Sequence, residues 1–162
     1  MTTWKIDAAH SEVNFKVKHL VVSTVRGNFD KFEATIKTNN EDFSDAVIKF
    51  EADINSINTK NEQRDAHLKS ADFFDAENHP KMIFESISVK KISDFEMKVT
   101  GNLTLRGVTK EVTLDVIYNG TVSGFGDSTV AGFEVRGKIN RFDFGLQWNA
   151  VTEAGGIVVS NE

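Results

Sequence analysis

Residues Asn61 to Phe84 read NEQRDAHLKSADFFDAENHPKMIF, and here alone the chain stops alternating between apolar and polar positions. Thr59 and Glu62 stand in capping-box spacing, with Asn61 as a rival N-cap. Gln63 to Ser70 contains no β-branched residue, and Ala66, Leu68, Phe73 and Phe74 supply a short apolar face. Asp75, Asn78 and Pro80 end the pattern, since the residue before a proline is pushed out of helical dihedrals. The stretch predicts one helix near 60–72, about three turns long. So short a helix cannot bury itself and must lie across the end or side of a sheet.

On both sides of it the period is two. Val13, Phe15, Val17 and His19 face Asn14, Lys16 and Lys18, and Val25–Thr38 continues as one strand, with Phe32, Ala34 and Ile36 against Glu33, Thr35 and Lys37. Ile48, Phe50, Ala52 and Ile54 alternate with Lys49, Glu51 and Asp53. Beyond Pro80 the pattern resumes in Lys81–Val89, Phe95–Leu105, Glu111–Tyr118, Thr129–Asn140 and, from Gly156, one more strand. Gly27 suggests a bulge or bend, Asn39–Ser44 a polar turn, Arg106-Gly107-Val108 a turn and Gly120–Asp127 a glycine-rich loop. One wet and one apolar face is the logic of antiparallel sheets. The expected fold is therefore all-β: a single domain over residues 1–162, a lipocalin-like antiparallel up-and-down barrel of about eight strands with one capping helix. Such a barrel has an interior just wide enough to be filled or to hold one slim ligand.

Thirteen of the aromatic residues are phenylalanine, which has no polar handle and suits a dry interior. A net charge of −5 argues against nucleic acid as a partner, because phosphate contact needs a basic face. There is no cysteine, hence no disulfide framework and no thiol chemistry. Met1-Thr2-Thr3-Trp4-Lys5 shows no secretory leader, so the chain as written reads as cytoplasmic, or as periplasmic or secreted if a leader was removed.

Chemistry-bearing patterns are sparse. His10, His19, His67 and His79 include no i, i+4 pair, and hydrogen-bonded or solvated imidazoles account for them better than a metal site. No Gly-x-Ser-x-Gly is present, and most carboxylates sit on wet strand faces rather than in apolar pockets. Arg26, near a glycine bend, and Arg64, in the helix, are candidates for an anionic head group, weighed against ordinary salt bridges.

Several ordered motifs resemble the YceI-like family. They are Trp4–Phe15, His19-Leu20 with Val25–Phe29, Arg64–Leu68 with Phe73–Ala76, Pro80 with Phe84-Glu85-Ser86, Gly101–Lys110, and Arg141–Leu146. The resemblance spans nearly the whole chain. It implies a barrel around a long hydrophobic tunnel that binds a polyprenyl or quinone-like amphiphile, with no cofactor, no catalytic residues and a homodimeric state. The expected role is carrier, store or sequestering protein, with transient membrane contact; an enzyme acting on an isoprenoid lipid, or a stress-response interaction protein with a filled barrel, are the alternatives. The tunnel wall is expected from Phe15, Val17, Phe32, Ile36, Phe50, Ile54, Phe73, Phe74, Phe84, Val99, Leu114, Phe133 and Val135, with the helix as cap or side wall. His10, Arg26 and Arg64 are the head-group candidates. Family members continue in an alternating apolar strand where this chain reaches Glu162, which predicts bare strand edges at the barrel seam, closed by further chain or by a second copy.

Overall fold

The computed structural model describes residues 2–6, 11–19, 23–40, 43–71, 74–123, 129–139 and 155–161. Among the described residues are eleven strands and one α-helix; in chain order the strands are β1 Thr2–Lys5, β2 Ser11–His19, β3 Ser23–Phe29, β4 Phe32–Thr38, β5 Val47–Asp53, β6 Ile57–Asn58, β7 Lys81–Lys91, β8 Glu96–Leu105, β9 Val108–Ser123, β10 Thr129–Ile139 and β11 Gly155–Asn161. The helix, α1 Glu62–Lys69, interrupts them. The strands form one curled antiparallel sheet in the order β1-β4-β5-β7-β8-β9-β10-β11-β2-β3-β6. Hairpins put β7 through β10 side by side, as the alternation implies.

β8 shows why the pattern works. Met97, Val99, Leu103 and Leu105 are buried, while Glu96, Lys98 and Asn102 are exposed. On the outer face Thr100 and Thr104 pair their hydroxyls with Thr113 and Thr109 of β9, at 3.0 and 2.8 Å. Each buried aliphatic or phenyl side chain contributes about 1.5–3 kcal/mol relative to exposure, so the inward stripe dominates. The β8–β9 turn is Arg106-Gly107, with φ of 50° and 74°. Both central residues at positive φ make the tight hairpin whose twist suits its strands.

Four local expectations are corrected. Val25–Thr38 is two strands, because β3 pairs with β2 and β6 whereas β4 pairs with β1 and β5. The chain changes partners at Asp30-Lys31, where Asp30 N–H donates to the Ser56 carbonyl and Lys31 C=O accepts from Asp53 N–H. Gly27 makes no bulge: it pairs in register with Phe15, and a Cβ there would stand 2.6 Å from Phe15 Cζ and 2.7 Å from Thr59 Cγ2. Gly120 is not in a loop but within β9, which runs on to Ser123.

The fourth correction concerns the seam. β11 pairs with β10 from Phe133↔Asn161 to Ile139↔Gly155, and with β2 from Lys16↔Gly156 to Ser11↔Asn161. The edges expected to be bare are thus occupied on both sides by a strand as short as Gly155–Asn161. The backbone ladder needs only extended residues in register, not a long apolar strand.

The helix is shorter than expected, and of the two cap candidates Asn61 is the one used. Asn61 is its N-cap, accepting from Arg64 N–H at 3.0 Å. Thr59 is buried instead and serves as a junction: its N–H and hydroxyl donate to the Asp65 carboxylate, and its hydroxyl and carbonyl accept from the Arg64 guanidinium at 2.9 and 2.8 Å. The helix ends at Ser70, whose N–H returns to the His67 carbonyl, well before Pro80. The carbonyls of Leu68 and Lys69 then accept from Phe74 and Ala76, which satisfies the last turn.

Candidate functional site

The inward face does two different jobs. One part is packed solid. Phe15, Phe29 and Phe74 form a ladder of rings at 5.5 and 6.3 Å, and Ile54, Leu68 and Leu105 are almost wholly buried. The other part surrounds space. A cavity of about 100 Å³ lies against the inner side of β4, β5 and β7 to β10.

Its wall is built by alternation, strand by strand. Ala34 and Ile36 come from β4, Ile48 and Phe50 from β5, Met82, Phe84 and Val89 from β7, and Met97, Val99 and Leu103 from β8. β9 adds Val112, Leu114 and Val116, and β10 adds Phe133, Val135 and Gly137. Phe43 and Ala46 enter from the β4–β5 turn. Two absent side chains shape the wall. At Gly137 a Cβ would stand 2.3 Å from Leu114 Cδ2, and at Gly101 it would meet the ring of Phe84.

No charged residue belongs to this wall among the described residues. The charges of the same strands lie outside: Lys49 faces Glu85 at 3.9 Å, Lys81 faces Glu51 at 3.0 Å and Lys98 faces Asp115 at 3.5 Å. These are solvent-screened pairs of little energetic weight. An apolar cavity of this kind offers water no partners, so it stays dry or takes an apolar guest.

Seven of the expected tunnel residues line the cavity: Ile36, Phe50, Phe84, Val99, Leu114, Phe133 and Val135. Phe15, Ile54 and Phe74 are buried in the packed part, and Phe32 lies half-buried against the core. Val17 stands opposite Val25 in the β2–β3 ladder, with its side chain outside the described residues; Phe73 and His10 lie outside them altogether. The helix contributes no described residue to the wall, against the expectation of a cap. It sits beside β6, and its Leu68 and the following Phe74 pack into the solid part.

Of the head-group candidates, Arg26 and Arg64 do not line the cavity. Arg26 is exposed on β3 and, by alternation, on the face opposite Gly27 and Phe29. Arg64 is held by Thr59. Among the described residues no group of three or more His, Cys, Asp or Glu could hold a metal.

Sequence reasoning missed Phe43, which it left inside a polar turn. This side chain is 3% exposed, although its backbone has φ of 62°, a region that L residues rarely adopt. Its ring meets Trp4 at 5.5 Å, Tyr118 at 5.5 Å and Phe133 at 5.0 Å. The Asp45 carboxylate ties the turn down, accepting from the Thr38 hydroxyl and from the N–H groups of Asn39 and Asn40 at 2.8 and 3.2 Å. These bonds, that from Thr38 first, hold the carboxyl below its ordinary value of 3.8. The available signal was a lone phenylalanine among Asn39, Asn40, Glu41, Asp42, Ser44 and Asp45.

Comparison with known proteins gives the same picture. Residues 4–162 match the family described as the YceI-like domain. The chain is 44% identical over 165 residues to a UPF0312 protein of Staphylococcus aureus (strain N315), covering 100% of this chain and 92% of that one. The fold is that of Burkholderia cenocepacia BcnA, with a TM-score of 0.86 at 22% identity over 96% of this chain and 97% of the other. It is also that of a polyisoprenoid binding domain from Saccharophagus degradans, with a TM-score of 0.67 at 16% identity over 96% and 94%. The ordered motifs, the curled sheet and a family match that runs from Trp4 to the last residue agree: this chain belongs to the YceI-like family.

Proposed function

We propose that this protein binds the tail of a long-chain isoprenoid lipid in the cavity between β4 and β10, as a carrier, store or sequestering protein that leaves its ligand chemically unchanged. The observation that carries this reading is the wall itself, which bears no polar or charged side chain at any described position. Such a wall supplies transfer free energy and no proton donor, acceptor or nucleophile. The polyisoprenoid binding domain with the same fold supports the choice of lipid class.

Magnitudes decide how such a protein must work. An isoprenoid of eight units has roughly forty carbons, and at ~0.8 kcal/mol per buried CH₂ its transfer from water is worth about 30 kcal/mol. That exceeds the ceiling of about 20 kcal/mol seen for non-covalent complexes. Water is therefore the wrong reference state. The tail starts dry in a bilayer, a cavity of about 100 Å³ takes up only a few of its carbons, and loading proceeds through transient contact with a membrane.

Native mass spectrometry after exposure to a total lipid extract, followed by extraction of the ligand, tests the proposal. An isoprenoid recovered at unchanged mass is expected. Recovery of a cleaved or isomerised product would replace the carrier with an enzyme, and a protein that stays empty would remove the lipid altogether.

A further inference from the structure

Phe43 reaches across the sheet. It leaves the turn between β4 and β5, yet its ring touches Tyr118 of β9 and Phe133 of β10. In the sheet order β7 and β8 stand between β5 and β9. A side chain from the β4–β5 turn thus meets β9 and β10 across the hollow of the curled sheet, where Phe43 lines the cavity. Trp4 of β1 backs the ring from the β4 side.

The bar is held firmly. Three aromatic rings surround it, Asp45 fastens its turn to Thr38, Asn39 and Asn40, and Ala46 N–H donates to the Phe43 carbonyl at 3.0 Å. A buried aromatic residue at φ of 62° is kept there by its surroundings, not by its own preference. A fastened ring across a lumen is an end wall, not a swinging door.

We infer that Phe43 sets the longest tail this cavity accepts. The inference rests on the proposed binding of a lipid tail. It is tested by measuring affinities for two series of increasing length, isoprenoid alcohols and straight-chain 1-alkanols, in the intact protein and in Phe43→Gly. Glycine removes the ring and is at ease at positive φ; Phe43→Asn, which also tolerates this region, is the second variant should the first fold poorly. In a folded variant the limiting length should rise by at least one isoprene unit or its alkanol equivalent. Five more buried carbons should tighten binding of the first excluded alcohol by at least about tenfold, a larger change than for shorter members.

If both series bind with unchanged limits in a folded variant, the end wall falls and lipid binding stands. If only alkanols bind and their limit moves, the end wall stands and the isoprenoid reading falls. If neither series binds the wild-type protein, both fall.

Discussion

The ring of Phe84 lies where a side chain at Gly101 would have to go. A Cβ at Gly101 would stand 2.6 Å from Phe84 Cζ and 2.4 Å from the Glu85 backbone oxygen. Gly101 sits in the middle of β8, paired with Ser86 on one side and Val112 on the other. Its empty position leaves room for the Phe84 ring, which forms part of the cavity wall. In Gly101→Ala the backbone contact cannot be relieved by a rotamer change, so strand β7 has to shift. A loss of about 1–3 kcal/mol is expected from such overpacking, read as a lower urea midpoint; an unchanged midpoint would show that the β7–β8 ladder gives way freely.

The two parts of the interior should separate by mutation. Phe50 lines the cavity, whereas Phe15 packs on Phe29 away from it. Phe50→Asp places a carboxyl against the guest and should weaken tail binding at least tenfold, since burying an unpaired charge is strongly opposed. Phe15→Ala should cost about 3–5 kcal/mol of stability and leave the affinity of the remaining folded protein nearly as it was. Titration with a fluorescent long-chain alcohol, alongside urea unfolding, checks both; a reversed outcome would place the guest among Phe15, Phe29 and Phe74.

Asp45 predicts a pH dependence. Its carboxyl is held below 3.8 in the folded protein, first by the Thr38 hydroxyl and next by Asn39 N–H. A depressed carboxyl stabilises the fold above its ordinary value, and that contribution is lost as pH falls through the lowered one. The stability gap between wild type and Asp45→Ala should therefore be full at neutral pH and shrink below about pH 3.8. Thermal melts of both proteins from neutral pH into acid measure it. A gap independent of pH would mean that the carboxylate charge plays no part in fastening the Phe43 turn.

Arg64 discriminates between a structural tie and a head-group contact. Its guanidinium donates to the hydroxyl and carbonyl of Thr59, which is buried. Arg64→Ala should lower stability by about 1–3 kcal/mol, the range for losing charge-assisted bonds and leaving buried acceptors unpaired. Affinity for an anionic lipid should be nearly unchanged in an isothermal titration. A tenfold loss of that affinity with stability intact would instead put the guanidinium at the lipid head.

The sequence alone determined most of the strands, the place of the helix α1 and the sign of each face. Met97, Val99, Leu103 and Leu105 are buried because the pleat puts every second residue on one side. The Arg106-Gly107 hairpin was also legible, since glycine eases the positive φ that the turn requires. Alternation says which way a side chain points, but not what stands opposite. Whether Phe15 meets Phe29 while Phe84 borders empty space depends on the curl of the whole sheet and on missing side chains at Gly101 and Gly137. The choice between Thr59 and Asn61 as cap was settled by Arg64 and Asp65, which draw Thr59 into a buried junction. The place of Phe43 was likewise a tertiary matter. A residue in a polar turn at an unfavourable φ is buried only because three aromatic partners from distant strands converge on it. Local propensity acts over a few residues, and that convergence exists only once the sheet has curled around it.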